Sequence, residues 1–291
     1  MVDMLFAVWK SRNWASRVLI DTYSTANFWY AVLCAMLCRA LGLAYIPILH
    51  GGNLPRRLRD SPRLCRKLFG KAMINVAPSG YLQKTFADAG FAVRLVPNPV
   101  NLENFQFAER DQALPRLLWV RGLSDMSCPE MAIRTAALVG QKYPSATLVM
   151  VGPDPRKMWP ALHNLAATLD ANVDYRGKLS QTGWAALAGD CDIFINTSKV
   201  DNAPYSLVEA MALGLFVVST NVGGIPYLAE DGRDALLVGP DDPAAMANAV
   251  FRILEQDGLR LTLQAGARAK ARNFDKEAIL REWDEILQQP L

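Results

Sequence analysis

The chain has 291 residues, too many for one ordinary domain and enough for two that each bury a core. Hydrophobic residues make up 51% and charged residues 20%, which excludes an intrinsically disordered chain. Net charge is only +3, and the five cysteines (Cys34, Cys38, Cys65, Cys128, Cys191) are odd in number with no C-x-x-C spacing. That usage excludes a disulfide framework and a structural zinc site, and it fits a reducing, cytoplasmic setting.

The first residues, "MVDMLFAVWKSRNWASR", lack the basic-apolar-small order of a signal peptide and read as a helix leading into the strand "SRVLIDT", 16 to 22. "FWYAVLCAMLCRALGLAYIPIL", 28 to 49, imitates a membrane span, approaching the ~20 apolar residues a crossing needs. Arg39 sits in its middle and Gly42 divides it, so a buried helix over 25 to 41 followed by a buried strand over 44 to 50 is expected. Next comes a basic run in which Arg56, Arg57, Arg59, Arg63, Arg66, Lys67 and Lys71 face only Asp60. Residues 1 to 109 carry 13 Lys and Arg against 6 Asp and Glu, so the surplus is concentrated here. Residues 56 to 71 are expected either to meet an anionic acceptor or membrane face or to form a solvated basic helix. Strands follow at 72 to 79 and 92 to 98, with helices near 62 to 70 and 79 to 89. "NPVNLENFQFAERDQALP", 98 to 115, has no periodicity and reads as a linker.

Beyond it, strand-like runs at 116 to 121, 146 to 152, 172 to 177, 191 to 197, 215 to 220 and 234 to 239 alternate with helical segments, one opened by Pro129. Alternating βα units imply a parallel sheet with helices on both faces. The terminal "FDKEAILREWDEILQQPL" has helical spacing. The expected organisation is α/β, with two Rossmann-type domains facing a cleft: residues 1–108, 109–275, and a helix over 276–291 that crosses back to the first domain. No internal repeat is present, and no nucleic-acid partner is expected.

Open parallel sheets bind ligands at the carboxyl ends of their strands. Asp201 lies in the loop after the strand at 191 to 197, and Pro204 opens the helix "PYSLVEAMALG". First-turn amides are unpartnered and sit at the positive end of the helix dipole, so Tyr205, Ser206 and Leu207 are candidates to cradle a phosphate. Glu209, one turn on, is placed to accept hydrogen bonds from a ribose, and Asp201 to reach a second polyol. The plain alternatives are a capping Asp and a solvated helix Glu. His50 closes a strand and enters Gly51 and Gly52, where backbone approaches a ligand readily. Gly223 and Gly224 either line a pocket or form a tight turn. Neither a dinucleotide fingerprint nor a Walker A sequence occurs.

"DNAPYSLVEAMALGLFVVSTNVGGIPYLAEDGRDALLV" resembles the signature region of the retaining GT-B glycosyltransferases of family 4, with their E-x7-E motif, and "VAPSGYL", "VPNPVNLENF", "LLWVRGL" and "YPSATLVMVGPD" extend the likeness. The resemblance implies a GT-B-like fold and transfer of a hexosyl unit from a nucleoside diphosphate sugar to a glycan or lipid-linked hydroxyl acceptor, as in polysaccharide biosynthesis. It implies that Asp201 contacts the donor sugar, Glu209 the ribose, and that His50 lies beside the reacting centre. Arg121 would clamp the diphosphate with a lysine five residues on, where this chain has Met126. Lys199 and Lys178 are candidates to replace it. No cofactor is implied, and with no D-x-D-like cluster no metal is expected. The family's N-terminal domain carries more strands than residues 1 to 98 offer, so an incomplete N-terminal domain is expected. A nucleotide-sugar-binding module without turnover is the alternative reading.

Overall fold

The computed structural model describes residues 2–50 and 52–290, and these divide into two compact units. The first runs to Asn98 and regains the chain from Glu277; the second spans Pro99–Lys276. In the first unit the elements are α1 (Val2–Ser11), β1 (Arg17–Thr22), α2 (Asn27–Ala40), β2 (Ala44–Leu49), α3 (Leu54–Asp60), α4 (Pro62–Phe69), β3 (Asn75–Ala77), α5 (Gly80–Asp88) and β4 (Val93–Leu95). The second unit contains β5 (Arg116–Val120), α6 (Pro129–Lys142), β6 (Thr147–Val151), α7 (Trp159–Thr168), β7 (Val173–Tyr175), α8 (Gln181–Leu187) and β8 (Ile193–Asn196). It continues with α9 (Tyr205–Ala212), β9 (Phe216–Thr220), α10 (Ile225–Leu228), β10 (Leu236–Val238), α11 (Pro243–Glu255) and α12 (Asp257–Arg272). The last helix, α13 (Lys276–Gln288), packs in the first unit.

Every strand expected from the apolar runs is present, each trimmed at its ends. The apolar stretch at 28 to 49 divides at Gly42, which adopts φ +70°, into α2 and β2. Among the described residues no helix is long and apolar enough to cross a membrane.

The first unit holds a four-stranded parallel sheet ordered β1-β2-β3-β4. One face packs Ile20, Tyr45, Leu49 and Ala77 against Phe28, Val32 and Ala35 of α2 and Leu68 and Phe69 of α4. The other packs Ile46, Val76 and Val96 against Ile279, Trp283 and Ile286 of α13, whose Glu285 accepts from Arg94 at 2.5 Å. α4 sends Cys65, Leu68 and Phe69 into the core and leaves Arg63, Arg66 and Lys67 in solvent, as an amphipathic helix must. Arg57 belongs to the structure as well as the basic face, donating to the Ser24 carbonyl at 2.7 Å and lying over the Phe28 ring. On the outer side of α2, Trp29, Leu33 and Met36 are exposed.

The second unit holds a six-stranded parallel sheet ordered β10-β9-β8-β5-β6-β7. The chain therefore builds outward from β5 to β7, returns to place β8 beside β5, and builds outward the other way. β5 and β8 are the pair between which the direction of winding reverses. Their central residues are apolar: Leu117, Leu118 and Trp119 on β5 and Ile193, Phe194 and Ile195 on β8 are buried, as a sheet covered on both faces requires.

The unit boundary falls at Asn98/Pro99 rather than between residues 108 and 109, and the segment expected as a linker is packed onto the second unit. Val100 and Phe105 enter its core, and the Ala108 amide donates to the Leu213 carbonyl at 3.2 Å. Arg110 fixes the segment further. Its guanidinium donates to the carbonyls of Ala188, Cys191 and Leu213 and lies 3.6 Å from the buried Asp192 carboxylate. These contacts are polar and long-range, so no hydrophobic period announces them.

Candidate functional site

The loops after β5 and β8 close around a pocket of about 440 Å³ at the reversal point of the second sheet. It is lined by Arg121, Gly122, Ser124, Met126 and Ser127 from the first loop and by Ala203, Tyr205, Ser206 and Glu209 from the second loop and α9. Crevices outside the carboxyl ends of strands at such a reversal are where doubly wound sheets take their ligands.

Both loops are pinned from behind. Trp119 of β5 donates through Nε1 to the Thr197 hydroxyl at 2.9 Å, and that hydroxyl donates to the Ser127 carbonyl at 2.7 Å. Ser127 in turn donates to the Gly122 carbonyl at 2.7 Å and accepts from the Ser124 amide. The chain leaves this turn through Cys128 in a left-handed conformation at φ 49° before Pro129 opens α6.

Arg121 and Asp201 meet across the mouth of the two loops, Nη2 to Oδ2 at 2.5 Å. Asp201 also accepts from the Asn202 amide at 2.9 Å. Burial pushes the Asp201 carboxyl above its ordinary value, while the Arg121 charge and the Asn202 amide pull it back. Its backbone carbonyl accepts from the Gly224 amide. Here the role of the two glycines becomes clear. Gly223 adopts φ +56°, and a Cβ there would stand 2.0 Å from the Asp201 carbonyl oxygen; a Cβ on Gly224 would stand 1.7 Å from that of Asn202. The glycines let the Asp201 loop lie directly on the turn after β9, and they do not themselves line the pocket. Gly224→Ala is therefore expected to destabilise the protein by about 1–3 kcal/mol and to displace Asp201, a loss that urea unfolding curves check.

Glu209 is 6% exposed and turns into the pocket. Burial raises its carboxyl above the ordinary value, opposed by Gln181, whose Nε2 donates to Oε1 at 2.5 Å. Gln181 opens α8 just after the Ser180 cap, and its sequence position in a polar loop gave no sign of this pairing. Tyr205 and Ser206 form the start of α9 and line the pocket. Pro204 is the N-cap, extended at ψ 115°, rather than a first-turn residue. Leu207 departs from the expected cradle: its side chain lies in the core and its amide donates to the Pro204 carbonyl at 3.2 Å. Ala203 takes its place in the lining.

Lys199 is placed elsewhere. Its ammonium pairs with Asp241 at 2.6 Å and lines a separate pocket of about 350 Å³ with Asp125, Cys128 and Arg134. Lys178 is exposed in the loop before α8 and does not line the 440 Å³ pocket. Met126 does line it, 46% exposed. In the first unit, His50 follows β2 and its Nε2 lies 2.8 Å from Asp21 Oδ1 on β1, while its ring stacks on Tyr23 at 5.3 Å. The apolar and turn patterns at 16 to 24 contained both partners without marking them. Gly52 lies in the turn that leads into α3, and Gly51 lies outside the described residues. Among the described residues no group of three or more His, Cys, Asp and Glu side chains gathers as a metal would require.

Comparison with known proteins bears on the pocket-forming segment directly. Residues 115–256 match the model of the family "Glycosyl transferases group 1". The matched residues include the whole lining of the 440 Å³ pocket, from Val120 to Glu209. A phosphatidyl-myo-inositol mannosyltransferase of Mycobacterium tuberculosis is 30% identical over 191 residues, covering 62% of this chain and 50% of that protein. A D-inositol 3-phosphate glycosyltransferase of Salinispora arenicola is 32% identical over 270 residues, covering 79% of this chain and 60% of that protein. The chain thus spans about half to three fifths of the length of these curated relatives. Among solved structures, Anabaena Alr3699/HepE in complex with UDP-glucose superposes with a TM-score of 0.80 at 21% identity, over 98% of this chain and 81% of that one. The sucrose-phosphate synthase of Thermosynechococcus elongatus does so at 0.77 and 18%, over 99% and 77%. The fold is that of the GT-B glycosyltransferases, two domains each built on a parallel sheet.

Proposed function

We propose that the protein is a retaining glycosyltransferase that moves a hexosyl unit from a nucleoside diphosphate sugar to a hydroxyl of a glycan or lipid-linked acceptor. The observation that carries the reading is the convergence of Arg121, Asp201, the start of α9 and Glu209 around one pocket at the winding reversal of the second sheet. A diphosphate laid against the first turn of α9 meets backbone amides and the positive end of the helix, with Arg121 to take up negative charge as the leaving group departs. Glu209 then faces the ribose, and Asp201 the sugar. HepE crystallised with UDP-glucose, and relatives named as mannosyl- and inositol-phosphate glycosyltransferases, agree with a nucleotide-sugar donor. His50, oriented by Asp21 and Tyr23, is assigned to the donor sugar on the family resemblance. The exposed basic face of α3 and α4 is assigned to an anionic acceptor or membrane surface.

Incubation with UDP- and GDP-sugars should release free nucleotide, and calorimetry should show donor binding that Glu209→Ala abolishes. Release of no nucleotide despite binding selects the second reading, a nucleotide-sugar-binding module. Met126 in the pocket, where a second cation would assist departure, is the observation that favours that alternative.

Glu209→Gln separates binding from stability. A carboxyl whose value is raised by folding stabilises fully below its unfolded value, and that contribution is lost as pH rises through the folded value. At neutral pH the buried carboxylate is therefore a net cost, which the isosteric amide removes while still accepting from Gln181. The variant should melt higher than wild type at pH 7, lose that advantage near pH 4, and bind UDP roughly 10- to 100-fold more weakly. Thermal melts at the two pH values and a UDP titration check the three parts.

A further inference from the structure

A groove runs along one face of α12 in the second unit, away from the pocket just described. It has two connected chambers of about 200 and 380 Å³, which share Phe107, Arg268 and Arg272. The smaller chamber has an apolar floor of Leu102, Phe105, Ala212 and Ala271. Arg268 and Arg272 stand one helical turn apart on α12 and so present their guanidinium groups side by side. Among the described residues neither pairs with a carboxylate. Arg268 is held in place by Phe107, its guanidinium carbon 4.4 Å from the ring centroid. The larger chamber adds Glu109 at its rim and Gln264, a side chain 8% exposed whose Nε2 has no hydrogen-bond partner. The donors that face the open groove are therefore the two guanidiniums, which line both chambers with no acceptor-rich group paired to them.

We propose that this groove binds a phosphate monoester of an apolar alcohol. The apolar body lies on Leu102, Phe105 and Ala212, and the phosphate spans Arg268 and Arg272. Two guanidinium forks favour a dianionic head with several acceptor oxygens over a carboxylate with two. Chamber size agrees with a small ligand. The site is independent of the glycosyl-transfer reading, although Ala212 at its floor belongs to α9, the helix that carries Glu209.

Calorimetric titration of the full chain with hexyl phosphate, hexanoate, hexyl glucoside and inorganic phosphate tests it. Hexyl phosphate should bind most tightly, and Arg268→Ala/Arg272→Ala should weaken it roughly 10- to 100-fold. Both arginines are exposed, so the variant should keep the wild-type melting temperature; if it does not, Arg272→Ala alone provides the comparison. Glu209→Ala should bind hexyl phosphate as wild type does, which keeps a failure of the donor-site reading separate from a failure here. Absence of binding, equal binding of hexyl glucoside or inorganic phosphate, hexanoate as tight as hexyl phosphate, or displacement by UDP would each overturn the proposal.

Discussion

Arg121→Ala should lower nucleotide release from a nucleoside diphosphate sugar about 10²- to 10³-fold, the effect of removing one preorganised group that stabilises charge developing on a leaving group. The same substitution strips Asp201 of its partner, and this second effect has a pH signature that a purely catalytic loss lacks. Asp201 is 10% exposed in its side chain, and burial already raises its carboxyl above the ordinary 3.8. Without Arg121 the value climbs further. For a raised carboxyl, stability is complete below the unfolded value and lost as pH rises through the folded one. The variant should therefore match wild-type stability at pH below about 4 and fall behind by about 1–3 kcal/mol near neutrality. The deficit is smaller than for a wholly buried pair because the Arg121 side chain is 32% exposed. Adding Asp201→Asn should restore stability at neutral pH, since an amide oxygen still accepts from the Asn202 amide, and should leave turnover low. Urea unfolding at two pH values, run beside a nucleotide-release assay on both variants, separates the two roles.

Much of this arrangement was legible from local pattern. Strand runs such as "RLLWVR" and "CDIFINT" are apolar on both faces and flanked by turns, so their existence and parallel character follow from periodicity alone, and Gly42 marks its own break. Glu209 was legible because an acid in "LVEAMALG" has apolar neighbours on every side of its helix. What escaped has a common cause: it depends on partners far apart in sequence. Gln181 reaches Glu209 across 28 residues, His50 reaches Asp21 across 29, and Arg110 joins the supposed linker to carbonyls up to 103 residues away. The departures of Lys199 and Leu207 are of the same kind. Proximity to Asp201 along the chain suggested a cation for Lys199, but its long side chain follows the nearest carboxylate, Asp241, on the loop after β10. Leu207 follows its hydrophobicity into the core, and the turn of the helix takes its amide along. Gly223 and Gly224 show the limit from the other direction: the sequence marks a backbone that needs room, and only the fold shows that the Asp201 loop fills it.

Met126→Lys should raise nucleotide release about 10²-fold over wild type, provided the pocket is the donor site. Among the described residues Arg121 is the one cation lining the pocket, and its Nη2 is already engaged by Asp201 at 2.5 Å, so that nitrogen is committed before a diphosphate arrives. Lys199, two residues before Asp201 in the second loop, is held 2.6 Å from Asp241. Position 126 can accept the change without repacking. Its side chain is 46% exposed and lines the pocket, and the structural duty of the residue, accepting the Lys199 amide at 2.8 Å, belongs to its backbone carbonyl. Methionine and lysine have similar unbranched stems, and lysine is one atom longer, so the ammonium projects one bond beyond the present methyl group. The turn that positions it, pinned by Ser124, Ser127 and Thr197, is untouched. Unfolding free energy should hold to within the roughly ±0.5 kcal/mol typical of a surface substitution, which makes turnover the discriminating measurement. A rise in release with unchanged UDP-sugar affinity places the new charge on the departing diphosphate; tighter binding of UDP and UDP-sugar alike, with turnover unmoved, places it in the ground state only and favours a module that binds donors without cleaving them.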